Sequence, residues 1–288
     1  MRITNMMLTN NLLRNMYTNL RGLERASDRL SSQKEVRRPS DDPVRAVTSL
    51  ALRSSLGNVG QYIKNISDAQ SWLEITEGAL GNAIDVLQRA RELAVNGSTD
   101  TIPQGSRLAL AQEVRQLREQ LIQIANTTHG SRYIFGGTRT SKPPYDDGWK
   151  GNDGKIEFLI SPEVTIQVNL PGGDLFSAAI DTLEQLAGLL EDDTKSGTDV
   201  STVIGELDEI LDNFIAKRGE IGAKTNRMER SLDRLAGTEI SVIELLSKAE
   251  DADIARAIID LKAQENAYRV TLAAGARIVM PTLLDFLR

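Results

Sequence analysis

The densest group of side chains able to do acid–base or metal chemistry is Glu250-Asp251-Ala252-Asp253. Hard cations take carboxylate oxygens, but consecutive residues on a helix point in different directions. The ligand spacing of a helix–loop–helix calcium site is also absent, so this group reads as a solvated helix start or a salt-bridging face. Gly148-Trp149-Lys150-Gly151-Asn152-Asp153-Gly154 is one copy of a glycine-rich pattern that binds calcium in stacks, and it reads as a hairpin turn. Gly136-Gly137 lacks the Lys-Ser or Lys-Thr pair of a phosphate loop. The single histidine, His129, precedes Gly130 and is assigned to capping a helix C-terminus. There is no cysteine, hence no disulfide, thiolate ligand or cysteine nucleophile, and no serine lies in a nucleophile elbow. The reading is a protein that is not an enzyme and holds no cofactor or metal.

With 288 residues the chain can build one large or two to three modest domains. No apolar run approaches the ~18 residues of a membrane span, and the N-terminus lacks the apolar stretch of a cleaved signal. The expectation is a cytoplasmic protein, or one exported without a cleaved signal. The net charge of -6 is unevenly spread: residues 1–38 hold eight basic and three acidic side chains, and residues 239–288 hold six and eight. The two ends therefore attract each other, or each presents a solvated face. The basic end has no aromatic platform, so no nucleic acid is expected as a partner.

The elements that would position any site are mostly helices. Residues 5–34 read as one helix whose apolar positions Met6, Leu13, Met16, Leu20, Leu23 and Leu30 step by threes and fours. The spacing recurs at Ile254, Ile258, Leu261, Tyr268, Leu272, Val279, Leu283 and Phe286. Seams this narrow need a partner helix, and the partner lies at the opposite end of the chain. Between the first helix and the next, Pro39, Asp41, Asp42 and Pro43 form a stiff connector, with Ser40 or Asp41 as cap and Pro43 in the first helical turn. Helices follow over 44–97, with a possible break near Gly57–Gly60, and over 104–128, with Leu108, Ala111, Val114, Leu117, Leu121 and Ile124 inward.

The periodicity then changes. Half of the chain's aromatics lie between 133 and 176, and alternation replaces the helical step at Ile156–Ile160 and Val164–Leu170. Helices resume over 178–190, 199–236 and 239–286, the last two separate or joined in a bend at Gly237. The expected fold is mainly α: an elongated coiled-coil or helix bundle formed by both chain ends, with a small antiparallel β insert in the middle. Its domains would be 1–37 plus 239–288 for assembly, 38–130 plus 179–238 as a helical bundle, and 131–178 as the β domain.

Several motifs, in order, resemble the flagellin superfamily of bacterial axial proteins. They are Arg2-Ile3-Thr4-Asn5, Arg38-Pro39-Ser40-Asp41-Asp42-Pro43, Thr76-Glu77-Gly78-Ala79-Leu80, Arg91-Glu92-Leu93-Ala94 and Tyr133-Ile134-Phe135-Gly136-Gly137. Arg218-Gly219-Glu220-Ile221-Gly222-Ala223, Glu250–Asp253 and Leu283-Leu284-Asp285-Phe286-Leu287 complete the series. The resemblance implies a structural subunit of the flagellum, exported unfolded and located outside the cell. Its terminal helices would form the inner wall of a tube, and the β insert would face outward. Implied partners are copies of itself in a ring, the neighbouring hook-associated junction protein and flagellin, and an export chaperone on the C-terminal region. Flagellins usually carry Ala where Pro39 and Pro43 bracket Asp41-Asp42 here, and the tail holds Met280-Pro281. Both differences favour a subunit joining hook to filament. The alternative is a short or minor flagellin, and a coiled-coil binding module is the reading from another class.

Overall fold

The computed structural model describes residues 5–99, 102–192, 195 and 197–279. Leu283, Phe286 and the Met280-Pro281 pair lie outside the described residues. The elements in order are α1 (Asn5–Ser32), α2 (Pro43–Gly97), α3 (Gln104–Ala125), β1 (Thr128–His129), β2 (Arg132–Tyr133), β3 (Glu157–Ser161), β4 (Val164–Gln167), α4 (Gly173–Glu191), α5 (Gly197–Glu250) and α6 (Ile254–Val279). The chain is thus mainly α with two small antiparallel hairpins, as the change of periodicity predicts. It divides into two compact units, one of residues 1–58 and 238–288, the other of residues 59–237.

In the second unit α2 carries the apolar face read from the sequence. Ile66, Ala69, Leu73, Leu80, Ile84, Leu87 and Leu93 are buried there. α2 passes through Gly57 and Gly60 without a break, and α5 passes through Gly237. Each glycine costs a helix interior only about 1 kcal/mol relative to alanine, too little to stop a long helix held by packing. Leu108, expected inward, is exposed, whereas Ala111, Val114, Leu121 and Ile124 of α3 are buried. α3 ends at Ala125 and not at Thr128. Asn126 follows, and its side chain donates to Tyr145 O at 2.9 Å and accepts from Tyr145 N at 3.0 Å, tying the insert to the helix end.

That leaves His129 in a strand, where it pairs with Arg132 across Gly130 and meets Trp72 edge-on at 5.5 Å. The capping role assigned to it is not the one it has. The β3–β4 pair runs Glu157 against Gln167, with a bulge between Leu159 and Ser161.

The glycine pair after Phe135 has a packing reason. Gly137 has φ +68, and a Cβ there would overlap the Asn152 backbone. The Asn152 side chain accepts a hydrogen bond from Thr138 N at 2.7 Å. The tight turn lies at Asp146-Asp147-Gly148, closed by the Tyr145–Trp149 bridge, so the hairpin expected over Gly148–Gly154 sits earlier in the chain and residues 150–154 have no regular structure. Beneath it Phe176 meets Phe135 at 4.7 Å, Phe214 edge-on at 5.3 Å and Trp149 stacked at 6.3 Å. Gly172 lies among these rings, and a Cβ there would come within 2.8 Å of the Trp149 ring and 2.9 Å of the Phe176 ring and the Phe135 Cβ.

The first unit is held differently. α1 ends where Gln33 turns to φ +57, and the chain then pairs with the link between α5 and α6. Glu35 N donates to Glu250 O at 2.6 Å and Ala252 N to Gln33 O at 2.9 Å. Under this backbone clasp the Glu250 side chain is buried. Lys34 Nζ reaches its Oε2 at 2.6 Å, and Arg53 grips both oxygens at 2.7 Å. In the connector Asp41 accepts from Arg38 N at 2.9 Å, closing a turn. Asp42 caps α2, accepting from Val44 N at 3.0 Å and Arg45 N at 3.1 Å, with Pro43 as the first helical residue. The cap lies one residue past Asp41 and two past Ser40, because Pro43 at the first helical position makes Asp42 the residue preceding it. Asp253 begins α6, accepting from Arg256 N at 3.2 Å. The Glu250–Asp253 group is thus a salt-bridge anchor at one end and a helix start at the other.

Two substitutions test these supports. Gly172→Ala forces a methyl group against two rings. It should lower stability by about 1–3 kcal/mol, read as a lower urea midpoint with the helical circular-dichroism signal retained in native buffer. Burial raises the pKa of Glu250, but hydrogen bonds from Arg53 and Lys34 lower it by more, and the balance is a pKa below its ordinary value. A carboxyl lowered on folding adds stability that is present above its unfolded pKa of about 4.3 and is lost as pH falls through the folded value. Acidification should therefore loosen the first unit, measured by amide exchange of residues 30–36 and 248–256. Glu250→Gln should cost about 1–2 kcal/mol at neutral pH, a figure reduced because both cations are partly exposed, and should flatten that acid limb.

Candidate assembly surface

α1 and α6 pack antiparallel through small and amide side chains. Leu12 lies over Gly275, where a Cβ would come within 2.9 Å of it, and Gly22 gives room to the Gln264 amide. Asn19 donates to Thr271 Oγ1 at 2.6 Å. Ala26 and Ala257 are buried, and Arg29 reaches Asp260 at 3.9 Å. The two ends of the chain are partners, as the seam spacing predicts. The charge asymmetry contributes that one ion pair between α1 and α6 among the described residues.

The predicted seam residues separate into two groups. Met16, Leu23 and Leu30 are half-buried, and at 3.6 residues per turn they share a side of α1 with Leu12, Asn19 and Ala26. Leu261 and Tyr268 are half-buried on α6, with Gln264 and Gly275. Met6, Leu13 and Leu20 face away from this contact and are exposed, Met6 by 76%. Ile254, Ile258 and Leu272 are exposed on α6, and Val279 is its last residue. A single apolar seam in the sequence is therefore two faces in space, one facing the partner helix and one facing outward. Periodicity merges them, because steps of three and four drift around a helix.

Sequence reasoning missed the residues of closest approach, Leu12, Asn19, Gly22 and Gly275, and also missed further apolar positions. Val44, Val47 and Leu50 on α2 and Ile240, Ile243 and Leu245 on α5 are exposed, as are Tyr17 on α1 and Ile259 and Val270 on α6. Their signal was present as closely spaced apolar residues: Val44, Val47 and Leu50 in a helix assigned to the bundle, the others off the seam in the helices assigned to assembly. Among the described residues, sixteen of the twenty-one exposed large apolar side chains belong to the first unit, although it is the smaller of the two. The continuous buried core lies wholly in the second unit. Contiguous exposed apolar surface of this kind marks interaction sites.

Other sites are weakly formed. No group of three metal-ligating side chains is present among the described residues. No described helix is long and apolar enough to cross a membrane. The groove between α2 and α3 is open and of mixed polarity, lined by Asp85, Val86 and Arg89 and by Leu117, Gln120 and Gln123.

Residues 3–140 match the model of the bacterial flagellin N-terminal helical region. A flagellin of Halalkalibacterium halodurans is 27% identical over 253 residues, covering 87% of this chain and 85% of that protein. Flagellar hook-associated protein 3 of Escherichia coli K12 is 26% identical over 275 residues, covering 84% of this chain and 87% of the relative. The crystal structure of Bacillus cereus FlgL superposes with a TM-score of 0.61 at 26% identity, over 68% of this chain and 99% of that one. The motif order, the paired terminal helices and these similarities agree: residues 3–140 carry the flagellin N-terminal helical region, and the chain resembles flagellins and hook-associated protein 3 over most of its length.

Proposed function

We propose that this chain is the structural subunit that joins hook to filament in a bacterial flagellum, assembled through its terminal helices. The observation that carries the assembly half of this reading is the outward apolar face of the first unit. α1 and α6 satisfy each other on one side and leave Met6, Leu13, Leu20, Ile254, Ile258 and Leu272 in solvent on the others. A helix apolar on two sides is built to be enclosed, and copies of the chain arranged in a ring enclose it. Val279, Leu283 and Phe286 are assigned to assembly in this proposal, and the stiff Pro39–Pro43 connector sets the direction in which the pair leaves the first turn of α2. Residues 131–178 face outward. The chain reaches its place by export without a cleaved signal, with a chaperone on its C-terminal region until assembly. It does no catalysis.

The choice between hook junction and filament rests on the proline-bracketed Asp41-Asp42 and on similarity to hook-associated protein 3. Flagellins match at comparable identity, so the two are separated by experiment. Deleting the gene should leave complete hooks that shed flagellin monomers into the medium, and supplying the chain in trans should restore attached filaments. Short or missing filaments on an intact junction would instead identify a flagellin.

A further inference from the structure

α1 carries a second pattern that its contact with α6 does not use. Arg14, Arg21 and Arg25 fall on one line along the helix at 3.6 residues per turn. All three are exposed and make no ion pair among the described residues. Beside this line runs the outward apolar face, Leu13, Tyr17 and Leu20. The last turns of α5 show the opposite sign. There Ile240 and Ile243 are exposed, by 61% and 48%, and Glu239 and Glu244 border them, also without an ion pair among the described residues. The borders alternate too: Glu24 follows the apolar residues on α1, and Lys248 follows them on α5. Both faces belong to the first unit and both are solvent-exposed in the single chain, so they do not cover each other there.

We infer that these two faces dock on each other between neighbouring copies of this chain, the arginine-edged face of α1 on one copy meeting the glutamate-edged end of α5 on the next. The inference rests on the reading of the chain as a self-assembling subunit and adds which surface meets which. Apolar positions on one helix cover apolar positions on the other, and the flanking cations and anions select the partner and exclude α1 against α1, which would bring like charges together. Because the two faces differ, the contact is heterologous. A heterologous contact repeats from copy to copy and closes into a ring when the rotation allows.

The absence of cysteine makes the test clean. Chains carrying Leu20→Cys are produced together with differently tagged chains carrying Ile240→Cys or Ile243→Cys, in cells lacking the native copy, and are then oxidised. Both isoleucines are tried so that either helix direction is sampled. At least one combination should give a disulfide-linked dimer bearing both tags, while Leu20→Cys with Glu206→Cys on the second unit should not. Independently, Arg14→Glu with Arg21→Glu should reduce filament attachment at least tenfold, and adding Glu239→Lys and Glu244→Lys to the same chain should recover most of it. Absence of mixed dimers from cells that retain their filaments overturns the docking and leaves the junction reading standing. Failure of the unaltered chain to restore attachment overturns the junction reading, whereas the mixed dimer still reports whether the faces meet. If the cysteine chains do not assemble, failure of the charge exchange to rescue attachment overturns the docking.

Discussion

Glu250 is a carboxylate only 3% exposed at the last residue of α5, and three parts of the first unit meet on it. Lys34 reaches it from the segment after α1, Arg53 reaches it from α2, and its own carbonyl takes the amide of Glu35. An isolated charge buried that far would be expelled or neutralised. Two cations bonded to its carboxylate oxygens make burial tolerable and fix where α1 ends and α6 begins. The packing of Leu12 on Gly275 and of Asn19 on Thr271 depends on that register, since a shift of α6 by one residue would move Gly275 out from under Leu12.

The two units use different physics. The second has a continuous core with a cluster of rings around Phe176, in which buried side chains contribute on the order of 1.5–3 kcal/mol each, and glycines such as Gly172 and Gly137 serve to bring backbone and rings together. The first has small buried residues, a salt-bridge anchor and most of the exposed apolar side chains. A unit whose apolar surface is largely uncovered in the single chain gains stability on association. In the proposed role, assembly then contributes to its order, as a subunit exported before being built into a larger structure would need.

The resemblance to flagellins and hook-associated protein 3 and the first unit's surface support each other without repeating one argument. Family likeness covers most of the chain, but it does not say which side chains face a neighbour. Exposure supplies the candidates for the proposed interface: Tyr17, Val47, Ile240 and Ile259 could not be singled out until the inner faces of their helices were known.

Much of the fold is legible in the residues alone. The steps of three and four predict long helices, Pro39–Pro43 predicts the stop between α1 and α2, and the alternation at Ile156–Ile160 and Val164–Leu170 predicts the β3–β4 pair, because all of these are local consequences of backbone sterics and period. Pairing of the two ends could also be inferred, from seams too narrow to stand alone. Tertiary structure decided what local pattern does not contain. It put Asp42 at the cap and His129 in a strand against Trp72, buried Glu250 between two cations while Asp251 and Asp253 stayed exposed, and split one predicted seam into an inner and an outer face. The reason is that a sequence period states how often a residue returns to a side of its helix, whereas only the position of the neighbouring helix states which side is covered.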